Sequence, residues 1–256
     1  MEVIGLIPAG GVGKRLAPLP CSKEIYPVGF TETDNKRERR PKAVCHYLLE
    51  KMRLAGIRKA FVVLRSGKWD IPSYLGDGKM LDMQLAYLMM DLPYGPPYTL
   101  NQASPFVKDA LVAFGFPDIL FHGNDGFEKL LTHQRETSAD IVLGLFPADQ
   151  PAQMDMIDIE ENCRVREIVI QPHETCLHYS WDIAVWTSAF MDFLDSFLAR
   201  ERDRAAIRSE LSVGMVIQAA IHEGLRVDGV VVSDEPYLDI GTPEGLARAL
   251  KRFAQE

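Results

Sequence analysis

The sequence predicts an α/β domain whose sheet is mainly parallel and flanked by helices. Three observations in the first quarter of the chain carry that prediction. The apolar run at residues 3–7 ends at Pro8-Ala9-Gly10-Gly11, a buried strand feeding a glycine-rich loop. After Arg40, the residues Val44, Tyr47, Leu48, Met52 and Leu54 recur at helical spacing up to Gly56, with Pro41 expected in the first turn. Residues 59–64 (KAFVVL) then read as a second core strand. A strand-loop-helix-strand order favours a parallel sheet covered by helices on its faces.

The alternation continues along the chain. A strand is expected at 84–90, a helix opening near Thr99, a strand through 118–121, a helix at 124–137 and a strand at 140–146. Beyond Pro151, residues 155–159 and 165–170 are separated by the polar Glu160-Glu161-Asn162 and resemble a hairpin, which adds a small antiparallel element. Helices follow at 188–200 and 212–222, then a strand at 225–232 and a closing helix started at Pro243. No repeat, linker or low-complexity stretch interrupts the pattern, so residues 1–256 are read as one domain. The segment 31–40 (TETDNKRERR) mixes both signs of charge and reads as a solvated excursion, with a phosphate or partner contact by Arg37, Arg39 or Arg40 as the alternative.

Composition narrows the function classes. A net charge of −8 and a pI near 5.3 oppose binding to nucleic acid or anionic lipid, so any anionic ligand needs a local cluster of cations. Cys21, Cys45, Cys163 and Cys176 have no paired or metal-finger spacing, which suits reduced thiols in a cytoplasmic protein. No apolar stretch reaches the roughly 18 to 20 residues a membrane span requires, and the N-terminus lacks a basic region before its short apolar run. The six histidines are scattered without HExxH spacing, so zinc is not indicated.

The loop after the first strand carries the sharpest chemical signal. Gly10, Gly11 and Gly13 let backbone N–H groups approach an anion, and Lys14 and Arg15 add the positive charge a triphosphate demands. Spacing excludes two familiar loops: Leu16 stands where a GxGxxG fingerprint needs a third small residue, and Arg15 where a P-loop needs Ser or Thr. Taken alone, the glycines also suit a plain tight turn into a helix.

The segment Ala9-Gly10-Gly11-Val12-Gly13-Lys14-Arg15-Leu16, followed by Ser22-Lys23 and Pro27-Val28, resembles the opening of the sugar-phosphate nucleotidylyltransferases of the thymidylyl and uridylyl branch. Ser22 replaces the proline usual there. Pro41-Lys42-Ala43, Ala55-Gly56-Ile57, Tyr74-Leu75-Gly76-Asp77-Gly78 and the segment from Gly95 to Gln102 extend the resemblance over most of the chain. The resemblance implies a Rossmann-like nucleotide-diphospho-sugar transferase fold. It implies an enzyme joining a nucleoside triphosphate, dTTP or UTP, to a sugar-1-phosphate with release of pyrophosphate. By the same resemblance Ala9, Gly10, Gly11, Gly13 and Lys14 would hold the nucleotide, Arg15 and Lys23 would neutralise the reacting phosphates, and Gln102 would read the base.

Such a transfer needs charge neutralisation and in-line positioning more than covalent chemistry from the protein, so Mg²⁺ is the expected cofactor. Asp239, in Tyr237-Leu238-Asp239-Ile240-Gly241-Thr242, matches one of the family's metal-ligand segments, and Asp118 falls where the other is expected, with Asp125 in reserve. The pattern departs from the family at Ile170-Gln171-Pro172, because Gln171 stands where a lysine usually meets the sugar phosphate, with Arg166 and His173 the nearest cations in sequence. Trp181, near Gln171 in sequence, suits a pocket wall or the core equally. A nucleotide-binding or regulatory protein that has lost turnover is the alternative that Gln171 keeps open. A metal-dependent glycosyltransferase would need an Asp-x-Asp pair, and Asp155 and Asp158 are spaced too widely for one. The identity of the base, with CTP or another phosphorylated acceptor still possible, that of the sugar, and the oligomeric state, a homo-oligomer included, stay open.

Overall fold

Strand β1 (Glu2–Pro8) is an apolar run with five consecutive buried residues, Ile4 to Pro8, as a strand covered on both faces requires. It opens a computed structural model that describes residues 1–32, 38–91, 95–201 and 210–253. After the glycine loop come β2 (Pro27–Glu32), β3 (Arg39–Ala43), α1 (Val44–Leu54), β4 (Lys59–Arg65), α2 (Asp70–Leu75), β5 (Gln84–Met90) and α3 (Pro96–Asn101). The middle of the chain forms β6 (Ala110–Gly115), β7 (Ile119–Leu120), α4 (Gly126–Thr137), β8 (Ile141–Pro147), β9 (Asp155–Ile159), β10 (Val165–Ile170) and β11 (Tyr179–Trp186). The remaining elements are α5 (Ser188–Glu201), α6 (Val213–His222), β12 (Val227–Val231), β13 (Leu238–Asp239) and α7 (Pro243–Phe253).

The main sheet runs β12-β8-β11-β6-β1-β4-β5, with the hairpin β9-β10 branching from the start of β11. β5, β4, β1 and β6 are parallel to one another, β8 and β12 are parallel to each other, and β11 runs antiparallel to both of its main neighbours. The chain proceeds from β1 outward through β4 and β5, then returns to place β6 on the other side of β1. The order therefore reverses at β1, and the carboxyl ends of β1 and β6 open onto a crevice, the place where open α/β sheets bind ligands. One hydrophobic layer, including Leu48, Met52, Phe127 and Phe146, covers one face of the sheet, and a second, including Phe114, Trp186, Phe190 and Ile217, covers the other. A small third cluster of Val28, Val44, Leu120, Ile240 and Phe253 seats α7.

Several expectations need correction. Helix α1 starts at Val44, because Pro41 lies in β3 opposite Phe30 of β2. A proline pushes its preceding residue towards extended backbone and suits an edge strand, which explains the shift. Of the charged segment, residues 33–37, Arg37 among them, lie outside the described residues; Thr31, Glu32, Arg39 and Arg40 are hairpin residues, and the Arg39 guanidinium sits 5.1 Å over the Phe30 ring. The strand expected at 118–121 is a two-residue bridge, β7, while the core strand β6 lies earlier at Ala110–Gly115 with all six residues buried. The β8 and β9-β10 expectations stand, and β11 was not anticipated. Its segment is buried along nearly its whole length, so it shows no alternation, and a bulge at Asp182 shifts its register.

Candidate active site

The loop leaving β1 is irregular until a short 3₁₀ turn at Lys23–Ile25, so no helix follows the glycines directly. Ala9 donates its N–H to the Val63 carbonyl at 2.8 Å and is buried, so it anchors the loop and does not line a cleft. Gly10, Gly11, Gly13 and Lys14 line a cleft of about 1010 Å³, together with Gly95 and Thr99 from the α3 end. Gly13 has φ of +66°, a left-handed conformation that glycine adopts without steric cost. A Cβ on Gly10 would lie 3.6 Å from Thr99 Oγ1, and one on Gly11 would lie 3.9 Å from Lys23 Nζ, so both glycines leave room where a ligand would meet the wall.

Lys23, Arg15, Asp118 and Asp239 converge although they come from distant parts of the chain. Lys23 Nζ donates to Asp118 Oδ2 in a largely buried ion pair, and Arg15 Nη2 lies 3.5 Å from Asp239 Oδ2. β13 pairs with β7 so that Asp239 is opposite Ile119, and Ile240 donates its N–H to the Asp118 carbonyl at 3.1 Å; this two-stranded element brings the carboxylates together. Asp239 Oδ1 also accepts the Gly241 N–H at 2.6 Å. A Cβ on Gly241 would fall 2.7 Å from Asp239 Oδ1, 3.1 Å from Arg15 Nη2 and 3.4 Å from Asp118 Oδ2, so the glycine marks the common centre of the group.

The substitution of Ser22 has a structural counterpart. Its N–H and hydroxyl both donate to Asp70, at 2.6 and 2.8 Å, a pair of bonds proline cannot make. They hold the segment carrying Lys23 against the start of α2. Beside it, Lys68 donates to Glu24 in a pair that is almost fully buried. Burial raises the Glu24 carboxyl and lowers the Lys68 ammonium, so both shifts favour the neutral forms.

A second cleft of about 510 Å³ shares Arg15, Lys23, Phe116 and Asp118 with the first and extends to Gln171, Asp182, Tyr237 and Asp239. Gln171 follows β10 at φ of +42°, exposed at the cleft wall. Asp182 is the extra residue of the bulge between Trp181, opposite Leu145, and Ile183, opposite Gly144. Ile183 pairs with Gly115 at the end of β6, so Asp182 stands level with the segment leading to Asp118. It is 5% exposed, and its Oδ2 has no hydrogen-bond partner among the described residues. Sequence reasoning passed over Asp182; its signal was an acid inside an otherwise apolar run.

Two predicted positions lie elsewhere. Trp181 packs in the core, its ring centroid 6.1 Å from that of Phe114, and lines neither cleft. Gln102 is exposed at the end of α3, donates to the Tyr98 carbonyl at 3.3 Å and lines neither cleft; Thr99, one turn earlier, faces the larger cleft instead. Arg166 pairs with Asp158 and Glu160 on the outer hairpin, and Asp125 pairs with Lys129 at 3.0 Å, so neither belongs to this site.

Charge and burial set the protonation pattern. Burial disfavours the Lys23 ammonium, but the charge and hydrogen bond of Asp118 outweigh it and hold the lysine protonated; the same contact keeps Asp118 below the usual carboxylate range against its own burial. Asp239 is raised by burial and by the charge of Asp118, opposed by the Gly241 N–H, Lys23 and Arg15. Asp182 is raised well above a normal carboxyl by burial, then by Asp118 and Asp239. Two hard carboxylates flanking a position without a side chain fit Mg²⁺, which usually takes one or two carboxylates and completes its shell with phosphates and water. Among the described residues no cluster of three or more metal-binding side chains is present.

Over residues 4–256 the sequence matches the model of the nucleotidyl transferase family. The chain belongs to that family. A low-salt glycan biosynthesis nucleotidyltransferase, Agl11, of Haloferax volcanii is 24% identical over 249 residues, covering 96% of this chain and 64% of the relative. A glucose-1-phosphate thymidylyltransferase of Streptomyces griseus is 24% identical over 236 residues, covering 89% of this chain and 60% of the relative. This nucleotidyl transferase thus spans under two thirds of the length of these curated relatives. A solved Bacillus anthracis structure, provisionally assigned as a glucose-1-phosphate thymidylyltransferase and holding sucrose, superposes with a TM-score of 0.83 at 20% identity, covering 100% of this chain and 96% of that one. A UTP-bound UGPase of Acinetobacter baumannii superposes at 0.76 with 16% identity, covering 99% and 93%. At those identities the superpositions establish the shared Rossmann-like fold. No helix among the described residues is long and apolar enough to cross a membrane.

Proposed function

We propose that this nucleotidyl transferase joins a nucleoside triphosphate, dTTP or UTP, to a sugar-1-phosphate and releases pyrophosphate. The observation that supports this reading best is the sharing of Arg15, Lys23 and Asp118 by two adjoining clefts. The larger cleft, with the glycine loop, suits the nucleotide; the smaller suits the acceptor; the shared residues then flank the reacting phosphates. A phosphate oxygen of the acceptor attacks the α-phosphorus, the bond to the bridging oxygen of the β-phosphate breaks, and pyrophosphate leaves with that electron pair. The acceptor oxygen is already anionic near neutral pH, so no general base is required.

Lys23 and Arg15 hold positive charge beside the reacting phosphates, and the glycines of the loop let backbone N–H groups approach the triphosphate. Asp118 and Asp239 would hold Mg²⁺, which when bound neutralises phosphate charge. The choice of dTTP or UTP draws on the thymidylyl and uridylyl relatives and not on Gln102, which stands outside the cleft lining. The reading covers residues 1–256 as one domain acting without nucleic acid or membrane, in the cytoplasm.

The test is pyrophosphate release from a panel of nucleoside triphosphates crossed with sugar-1-phosphates, with Mg²⁺ and with EDTA, alongside Asp239→Asn. Release that needs both substrates, stops with EDTA and falls at least about 100-fold in the variant is expected. Absence of release from every pair, with nucleotide binding intact, would overturn the transferase reading.

A further inference from the structure

Of the five acids lining the smaller cleft, three have cationic partners. Asp118 pairs with Lys23, Asp239 with Arg15 and Asp149 with Arg248 at 2.7 Å. Glu244 is exposed in the first turn of α7, where water and the helix N-terminus satisfy a carboxylate. Of these five acids, Asp182 is the one whose buried side chain leaves an oxygen, Oδ2, without a hydrogen-bond partner among the described residues. The bulge in β11 places it there, since a regular strand would give this position a ladder partner and a different facing. A buried carboxyl oxygen without a partner is costly, and on a residue that lines a cleft a ligand can supply the missing donor.

The cleft also says what kind of donor fits. Its lining holds Arg15, Lys23 and Arg248 against Asp118, Asp149, Asp182, Asp239 and Glu244, and every one of those cations already faces a carboxylate. At the neighbouring wall Gln171 brings no charge. A hydroxyl would satisfy the orphan oxygen with one donor, whereas an ammonium brings three donors and a compact positive charge to a buried carboxylate.

We propose that Asp182 is a specificity-determining residue that receives a protonated amino group on the acceptor, so that the preferred acceptor is an amino-bearing sugar phosphate. This rests on the reading of the smaller cleft as the acceptor site. The Asp182 carboxylate accepts a hydrogen bond from the ammonium. An acylated nitrogen loses the charge and fits poorly.

The experiment compares glucosamine-1-phosphate, glucose-1-phosphate and N-acetylglucosamine-1-phosphate as acceptors, by pyrophosphate release and by calorimetric binding, in the full chain and in Asp182→Asn and Asp182→Ser. Melting curves and dTTP binding control for folding. The expected result is a preference of about tenfold or more for the free amine in kcat/KM and in affinity, falling to within about twofold in both variants. Equal use of the three acceptors, a preference for glucose-1-phosphate, or an amine preference that survives both variants would overturn the proposal. Should no acceptor support pyrophosphate release, the transfer reading fails, and the binding arm still decides this one: amine-selective binding lost in the variants supports it, and unselective or absent binding sinks it.

Discussion

Lys23 and Asp118, 95 residues apart in sequence, form a largely buried ion pair where the larger and the smaller cleft meet. Each holds the other ionised against burial. The pair keeps a cation and a carboxylate charged at a place where either alone would shed its charge.

Removing one partner should therefore cost more than removing both. Lys23→Met leaves a buried carboxylate uncompensated, with an expected loss of about 3 kcal/mol, and the double variant Lys23→Met, Asp118→Asn should recover part of it. Denaturant melts of the two single variants and the double give the coupling. Pyrophosphate release should fall by at least about 100-fold in Lys23→Met.

Asp182 should make stability depend on pH in the direction opposite to an ion-paired acid. Its folded carboxyl titrates well above the ordinary value of 3.8, so between those two points the folded state binds more protons than the unfolded chain. Stability is then intact below the unfolded value and declines as pH rises towards the folded one. Asp182→Asn should melt higher than the parent at pH 7 and match it near pH 3.5, and thermal melts across that range check the convergence. A constant offset at all pH values would contradict it.

Gly241→Ala should separate the site from the fold. The added methyl would press on Asp239 Oδ1 at 2.7 Å and on Arg15 at 3.1 Å. We expect turnover and its apparent Mg²⁺ affinity to fall about 10- to 100-fold, with a change in melting temperature of only a few degrees. Magnesium titrations of pyrophosphate release provide the readout.

Restoring the residue usual in the family at position 22 should harm this protein. Ser22→Pro removes two donors to Asp70 and leaves that carboxylate with fewer partners, for an expected loss of about 1 to 2 kcal/mol. Asp70→Ala should reproduce the loss, and the two together should cost little more than either, as a double-variant cycle in urea would show.

Gln171→Lys should bring a cation to the acceptor cleft. The KM for the sugar phosphate should fall by up to about tenfold while that for the nucleotide stays within twofold. Steady-state kinetics with each substrate varied in turn decide this.

What the sequence by itself determined is local. Five consecutive buried residues in β1, the stripe of Val44, Leu48 and Met52, and Pro243 opening α7 are periodicities and caps that act over a few residues, so they were legible. The glycine loop was legible for the same reason, because positive φ and close approach select glycine directly. Tertiary structure decided the rest. Trp181 went to the core and Asp182 to the cleft because a bulge, which depends on the packing of Ile183 against Gly144 and Gly115, shifted the register of β11. The placement of Gln102 and the partners of Lys23 and Ser22 likewise depend on which distant strand and helix ends meet at the sheet edge. Pairings between residues 48, 95 or 224 positions apart leave no local signature, because the forces that select them act only once the sheet has brought them within a few ångströms.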